Sequence, residues 1–519
     1  MVYGLVAAIY LLAFPWHPGL RSPNELCRLM QTRALVDFGD LSLNRAMRLY
    51  GPVGDLSISR GRYYPSKAPL MSFAGVPVYA LLRALAGGRP GVVPEIPLVY
   101  LSRLFLTVLP TLLSLLLLER LLRQYVATSI AIGTTLTYAL GTLAFSYSLL
   151  FMSHQTSATL LLAGFYVAWR VARGERTEWW LAASGMLLGL AVVAEYTSAL
   201  PALFIAAYGL VQGRASLSQR LRSAGLLAIG AVPAGVFLGW YHFTCFGGIL
   251  ETGYRHLADV AYQPWHEGGF LGIRTPTWTA FVGSFFSPLR GLFALSPFLL
   301  LGFLGLTRLW RAQSAHPELR GVAIFSAALC IAYVYFTSSF SYESWGWTTG
   351  PRHLTGLVPF LMLPVALILH SNTTPVRQGV AAGLALSSVL VTSALTFVNY
   401  IPDDVSEGVF GLFLPLARDG DVIPTALGFL GISNPAGGWV IIAVTILVGL
   451  AICTLLLSTL SWYHTGVAAT VAVAFLASHR LLAQDTDHDR AARALLERVW
   501  LAPSGESVAF WSTTGRTSH

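Results

Sequence analysis

Leu104-Phe105-Leu106-Thr107-Val108-Leu109-Pro110-Thr111-Leu112-Leu113-Ser114-Leu115-Leu116-Leu117-Leu118, followed by Glu119-Arg120 and then Arg123, decides the class of this chain. The run belongs to an apolar segment over about 97–118. As a helix, such a segment crosses a hydrocarbon core of about 30 Å. Twelve more apolar segments are read along the 519 residues, at about 2–15, 126–146, 153–169, 179–194, 198–213, 223–243, 291–309, 321–338, 354–371, 379–398, 436–458 and 461–478. Mean hydropathy is +0.63. Only 11% of residues are charged and 55% are hydrophobic, where a soluble domain has about 25% charged residues. The expected fold is an all-α polytopic membrane protein with about thirteen transmembrane helices. It divides into a membrane domain over 1–478 and a tail over 479–519.

The arginines behind these segments predict an orientation, because positive charge is retained in short cytoplasmic loops. Arg120 and Arg123 follow the second segment, and Arg170, Arg173 and Arg176 follow the fourth. Arg214, Arg220 and Arg222, then Arg308, Arg311 and Arg320, then Arg377 fall in further alternate loops. One side is therefore expected to be cytoplasmic. The long loops over about 16–96, 244–290, 339–353 and 399–435, and the tail, are expected outside. The net charge of +9 is divided between membrane anchoring and this exterior face, and no nucleotide or nucleic-acid motif accompanies it. The first segment lacks a basic flank and a small-residue cleavage site, so it reads as a span and not a cleaved signal. Cys27 and Cys245 are both expected outside and could pair; Cys330 and Cys453 fall within spans.

The exterior loops hold the candidate chemistry. Ser22-Pro23-Asn24-Glu25-Leu26-Cys27-Arg28 opens a segment with apolar residues at helical spacing to Phe38, predicting an amphipathic helix at the membrane surface. A second interfacial helix is expected over Pro69–Ala86, interrupted by Pro77. Turn signals at Gly51-Pro52, Gly54-Asp55 and Arg60-Gly61 leave room for a small hairpin between them. Lys67, the only lysine among 33 basic residues, closes Gly61-Arg62-Tyr63-Tyr64-Pro65-Ser66-Lys67. Codon usage accounts for its isolation as readily as function does. A phosphate leaving group at this boundary requires cations, and an incoming nucleophile requires a base. Elsewhere, Tyr342, Glu343, Trp345 and Trp347 precede Gly350-Pro351-Arg352, a turn suited to holding Arg352 against a phosphate. The aromatics alone are equally an interfacial belt. Arg290 lies beside a span, Glu195 ends the fifth span, and His154 begins the fourth. No motif with metal-ligand spacing is present, so neither a metal nor another cofactor is expected.

Together these residues resemble the C-type (GT-C) membrane glycosyltransferases that use polyprenyl-phosphate sugars, including protein O-mannosyltransferases and the bacterial transferases that add aminoarabinose to lipid A. The matches are Asn24-Glu25 with Arg28, the stretch Gly61 to Pro69 around Lys67, and Trp345 to Leu354 ending in Gly-x-Arg-x-Leu. The resemblance implies a GT-C-like fold with helices in a long first exterior loop. It also implies sugar transfer from a polyprenyl-phosphate donor to a lipid, glycan or protein acceptor at the exterior face of the cell membrane. By resemblance Glu25 is the carboxylate at the reaction centre, with Asp55 the alternative because Asn24 stands where relatives often carry an acid. Lys67 and Arg352, with Arg62 and Arg290, would hold the donor phosphate. Asn24, Arg28, Tyr63, Tyr64, His154, Glu195, Tyr342, Glu343, Trp345 and Trp347 would line the pocket. The competing reading is a transporter, flippase or non-catalytic assembly protein for lipid-linked saccharides, which would place polar groups at the midplane or lack a cavity joining the loop residues.

Overall fold

Apolar segments that must satisfy their own backbone in lipid become helices, and helices make up almost every element. The computed structural model describes residues 2–13, 22–211, 216–267, 272–340, 348–371, 374–398, 401–402, 405–420 and 425–501. Among them the only sheet is a two-stranded hairpin. Six helices are long and apolar enough to cross a membrane: Glu95–Leu122, Leu217–Phe246, Leu319–Ser339, Pro375–Val398, Ala436–Leu456 and Trp462–Leu482. The other seven expected segments are also helical, over shorter, more polar or interrupted stretches. This is a multi-pass membrane protein.

Two expected spans are broken. Thr128–Leu140 stops at Gly141 and resumes as Leu143–Ser148. The segment over 291–309 divides into Leu292–Leu295, Pro297–Leu299 and Leu300–Ala312. Both breaks lie against the Pro375–Val398 helix, which supplies hydrogen-bond partners at the second. Thr392 donates to the Leu295 carbonyl at 3.1 Å, and Phe298 N–H donates to Ser388 Oγ at 3.0 Å. Irregular backbone at membrane depth persists where such side chains satisfy it. A Cβ at Gly141 would sit 3.0 Å from Ser388 Cβ, so the first break also packs closely on this helix.

Helix Pro23–Phe38 forms with the expected bounds. Pro23 occupies the first turn, and Gly39, at φ 60°, ends the helix in the left-handed region. Its place differs from expectation. It is not an amphipathic helix on the membrane surface, because Asn24, Glu25, Cys27 and every residue from Arg28 to Ala34 are buried. Its polar groups find internal partners instead: Gln31 donates to Tyr241 Oη at 2.9 Å and Thr32 to the Ser72 carbonyl at 2.8 Å. The second loop helix divides at Gly75 into Leu70–Ala74 and Val76–Leu85, so Pro77 lies in a first turn where its missing N–H costs nothing. The hairpin pairs Leu56–Ser59 with Arg62–Pro65 around Arg60-Gly61. Both turn residues have positive φ, 51° and 73°, as tight hairpin turns require. All four cysteines are free and buried, so Cys27 and Cys245 do not pair.

Helices Trp180–Ala194 and Leu217–Phe246 cross at two glycines. A Cβ on Gly185 would lie 2.0 Å from the Leu227 carbonyl oxygen, and one on Gly230 would lie 1.9 Å from that of Ala182. Small residues at such crossings let backbones touch. Gly230→Ala is expected to destabilise the protein by about 1–3 kcal/mol, read as a lower thermal midpoint in detergent. Gly225→Ala, in open space on the same helix, is the control and should be neutral or stabilising.

The tail begins with an anchored helix. A helix runs over Asp487–Leu501. Asp489 accepts from Ser406 N–H at 2.9 Å, and Arg493 donates to the Gly411 carbonyl at 2.8 Å. Nearby, His479 Nδ1 lies 2.7 Å from Glu407 Oε1. Glu407 also accepts from the N–H groups of Val409 and Phe410.

Candidate active site

The hairpin register brings Asp55 to Lys67. Leu56 pairs with Pro65, and one step outward Ser66 N–H donates to the Asp55 carbonyl at 2.9 Å. Asp55 has φ 57°, a left-handed conformation that aspartate tolerates better than most residues. Lys67 Nζ lies 3.3 Å from Asp55 Oδ1. The hairpin docks on the segment from Gly253 to Ala258: Ser57 donates to the Gly253 carbonyl at 2.7 Å, and Ala258 N–H to the Leu56 carbonyl at 2.9 Å. Only glycine fits at 253, since a Cβ there would lie 2.8 Å from Ser66 Cα. This docking places the Tyr254 ring 5.1 Å from Lys67 Nζ. Burial disfavours the Lys67 ammonium and the Arg352 charge opposes it, but Asp55 and Tyr254 prevail and its pKa lies above the ordinary value. Lys67 is a buried, fully charged cation.

Arg28 approaches from the Pro23–Phe38 helix. Its Nε donates to Asn24 Oδ1 at 3.0 Å and its Nη2 to Ser153 Oγ at 3.0 Å; Nη1 is buried without a partner among the described residues. Ser153 in turn donates to Glu195 Oε2 at 2.7 Å. His154 Nδ1 faces the same carboxylate oxygen at 3.5 Å. The His154 ring lies edge-on to Tyr147 and to His353, with centroids 5.3 and 5.6 Å away.

Arg352 enters through the Gly350-Pro351 turn. Gly350 has φ 68°, and a Cβ there would meet Leu143 Cδ2 at 2.7 Å, while Tyr147 Oη donates to the Thr349 carbonyl at 2.9 Å. The Arg352 side chain makes no hydrogen bond or ion pair among the described residues, and its Nε is buried. Burial, then the Arg352 charge, holds the His353 pKa well below the ordinary histidine value. His266 is pushed down to about 4 by burial and by Lys67, with Arg352 adding and Asp55 opposing. Both imidazoles are therefore neutral near pH 7 and accept no further positive charge.

Of the residues singled out from sequence, the structure gathers Asn24, Arg28, Asp55, Lys67, His154, Glu195 and Arg352 into one neighbourhood. Arg290 borders it: it donates to the Pro402 carbonyl at 3.4 Å, and its charge, like that of Arg352, acts on Tyr147. Glu25 points the other way. Its Oε1 accepts from Arg103 Nη2 at 2.9 Å and from Phe151 N–H, and its Oε2 is buried without a partner among the described residues. The hairpin residues 62–64 are not in the cluster either. Arg62 is exposed beside Tyr64. Tyr64 packs with Tyr241, Cys245 and Phe246, and Tyr63 packs against Met30, Ala34 and Leu43. Tyr342, Glu343, Trp345 and Trp347 lie outside the described residues. Sequence reading missed Tyr254, His266, Ser153 and His353. The last two adjoin residues it did select, whereas nothing local marks Tyr254 or His266. Among the described residues no group of three or more His, Cys, Asp or Glu side chains is placed to hold a metal ion.

The arrangement brings three cations, Arg28, Lys67 and Arg352, against two carboxylates, Asp55 and Glu195. Two of those cations have donor nitrogens without partners, an environment suited to an incoming anion.

No protein-family model and no curated protein matches the chain. Among solved structures it is similar to ArnT from Cupriavidus metallidurans bound to undecaprenyl phosphate. The identity is 16%, over 99% of this chain and 87% of that one, with a TM-score of 0.45. Against the apo state of the same protein the values are 14%, 91%, 76% and 0.46. It is also similar to the Archaeoglobus fulgidus oligosaccharyltransferase in complex with Zn and sulfate, at 14% identity, over 76% of this chain and 53% of that one, with a TM-score of 0.48.

Proposed function

We propose that this protein is an integral membrane glycosyltransferase of the GT-C type, moving one sugar from a polyprenyl-phosphate carrier to a lipid, glycan or protein acceptor. The observation that carries this reading is the buried ammonium of Lys67, held by Asp55 and neighboured by Arg352, with Arg28 acting on the same His154, in a loop that adjoins apolar helices. Buried cations with open donors are costly without an anion. A phosphate attached to a polyprenyl chain supplies one while its tail stays among lipid. Lys67, Arg28 and Arg352 bind the leaving phosphate, and Asp55 orients Lys67. The arginine distribution supports a site on the exterior face of the cell membrane. The test is transfer of radiolabelled sugar from polyprenyl-phosphate donors in sealed vesicles of known orientation. Label should reach an acceptor only when donor is available on the exterior leaflet. Transmembrane movement of the donor without transfer would establish the transporter reading instead.

A further inference from the structure

Resting on the glycosyl-transfer reading, we infer that His154, oriented by Glu195, is the general base that takes the proton from an acceptor hydroxyl. The two carboxylates suggested by sequence are both engaged elsewhere. Glu25 accepts from Arg103 and Phe151, and Asp55 is paired with Lys67 at 3.3 Å. A carboxylate held against an ammonium is a weakened base.

His154 has the opposite arrangement. Nδ1 faces Glu195 Oε2 at 3.5 Å, and Ser153 Oγ donates to that same oxygen at 2.7 Å, fixing where the carboxylate sits. The carboxylate selects the tautomer with hydrogen on Nδ1 and leaves a lone pair on Nε2. Nε2 is buried and has no partner among the described residues; such an orphan calls for an explanation. The contact at Nδ1 is long, as catalytic contacts often are before substrate tightens them.

Location agrees with the role. His154 lies within the fields of Arg352, Arg28 and Lys67, the cations assigned to the donor phosphate, with Glu195, His353 and Tyr147 as its other titratable neighbours. Burial opposes a positive charge on His154 first, and without an anion those three cations add to that opposition. A bound phosphate offsets them, so the base gains strength when the donor is in place. In the step, the acceptor oxygen forms a bond to the anomeric carbon, and the bond from that carbon to the phosphate oxygen breaks. The bonding pair leaves on polyprenyl phosphate, facing Lys67 and the two arginines. The acceptor proton moves to Nε2, and the imidazolium is stabilised through Nδ1–H by Glu195. The acceptor atom is therefore a hydroxyl oxygen, or another nucleophile that must lose a proton.

The full chain in lipid nanodiscs tests this, with undecaprenyl phosphate as the binding probe and a radiolabelled polyprenyl-phosphate sugar as donor. His154→Gln should lower kcat by about 10²–10⁴-fold, the usual contribution of a general base, and leave the Kd for undecaprenyl phosphate within about threefold. Glu195→Gln should lower kcat less, again with binding retained, and retained binding shows that both variants fold. Turnover of His154→Gln within about tenfold of wild type overturns the base assignment alone. So does loss of undecaprenyl phosphate binding in both His154→Gln and His154→Asn. Wild-type protein that binds no undecaprenyl phosphate overturns the donor reading, and this inference with it.

Discussion

Lys67→Ala should weaken undecaprenyl phosphate binding by about 2–5 kcal/mol, roughly thirty- to several-thousand-fold, and sugar transfer should fall with it. Two effects act in the same direction. The ammonium that faces the phosphate is removed, and Asp55, 3.3 Å away, becomes an uncompensated carboxylate beside the anion. Adding Asp55→Asn to Lys67→Ala should therefore recover part of the binding, whereas independent contributions would simply add. Lys67→Arg should not restore wild-type affinity. Asp55 and the Tyr254 ring hold a compact ammonium here, and a planar guanidinium does not take its place. Because Asp55 and Tyr254 hold the Lys67 pKa above its ordinary value, this cation stays charged from about pH 6 to 9. Any decline in binding over that range must come from other groups. Lys67→Ala protein that binds undecaprenyl phosphate within about threefold of wild type would remove Lys67 from the site.

Helices were legible where local rules decide them. Pro23 at a first turn and Gly39 at φ 60° fixed Pro23–Phe38 at its predicted bounds. Arg60-Gly61 marked the hairpin turn. The break at Ser296-Pro297 was not legible, because its backbone partners, Ser388 and Thr392, come from a helix about a hundred residues away in sequence. The site divides in the same way. Arg352, His154 and Glu195 were found because each is a polar residue at the end of an apolar segment, where function and topology leave the same mark, and Lys67 because it is the only lysine, in a polar loop between such segments. Tyr254 reaches Lys67 only through docking of the hairpin on Gly253–Ala258, which no local pattern announces. The surface helix was misplaced because its alternating charges suggested water, when each had a protein partner waiting.

Glu25 is the instructive case, and its role yields the second large effect. Its partner, Arg103, lies at the edge of the apolar run that defines the fold, on the Glu95–Arg103 helix where a π turn follows. The side chains are 0% and 2% exposed. Glu25→Gln should remove the carboxylate that faces the buried Arg103 guanidinium, at a cost of up to about 3–5 kcal/mol, seen as a lower unfolding midpoint. The same oxygen that accepts from Arg103 also accepts from Phe151 N–H, two residues before Ser153 and three before His154. Loosening it should misplace both residues, so transfer should fall as well. Loss of activity in Glu25→Gln alone would thus be compatible with either a catalytic or a positioning carboxylate. The double variant Glu25→Gln/Arg103→Gln separates them. With both charges gone, two amides can bond to each other, and the desolvation penalty of the buried guanidinium disappears. A positioning carboxylate predicts that the double variant regains stability and part of its transfer rate relative to Glu25→Gln. A carboxylate acting as the base predicts that the double variant stays as inactive as the single one, because removing Arg103 supplies no proton acceptor. The buried, Arg103-bound geometry of Glu25 favours recovery, and a double variant with no more activity than Glu25→Gln would return the catalytic role to Glu25.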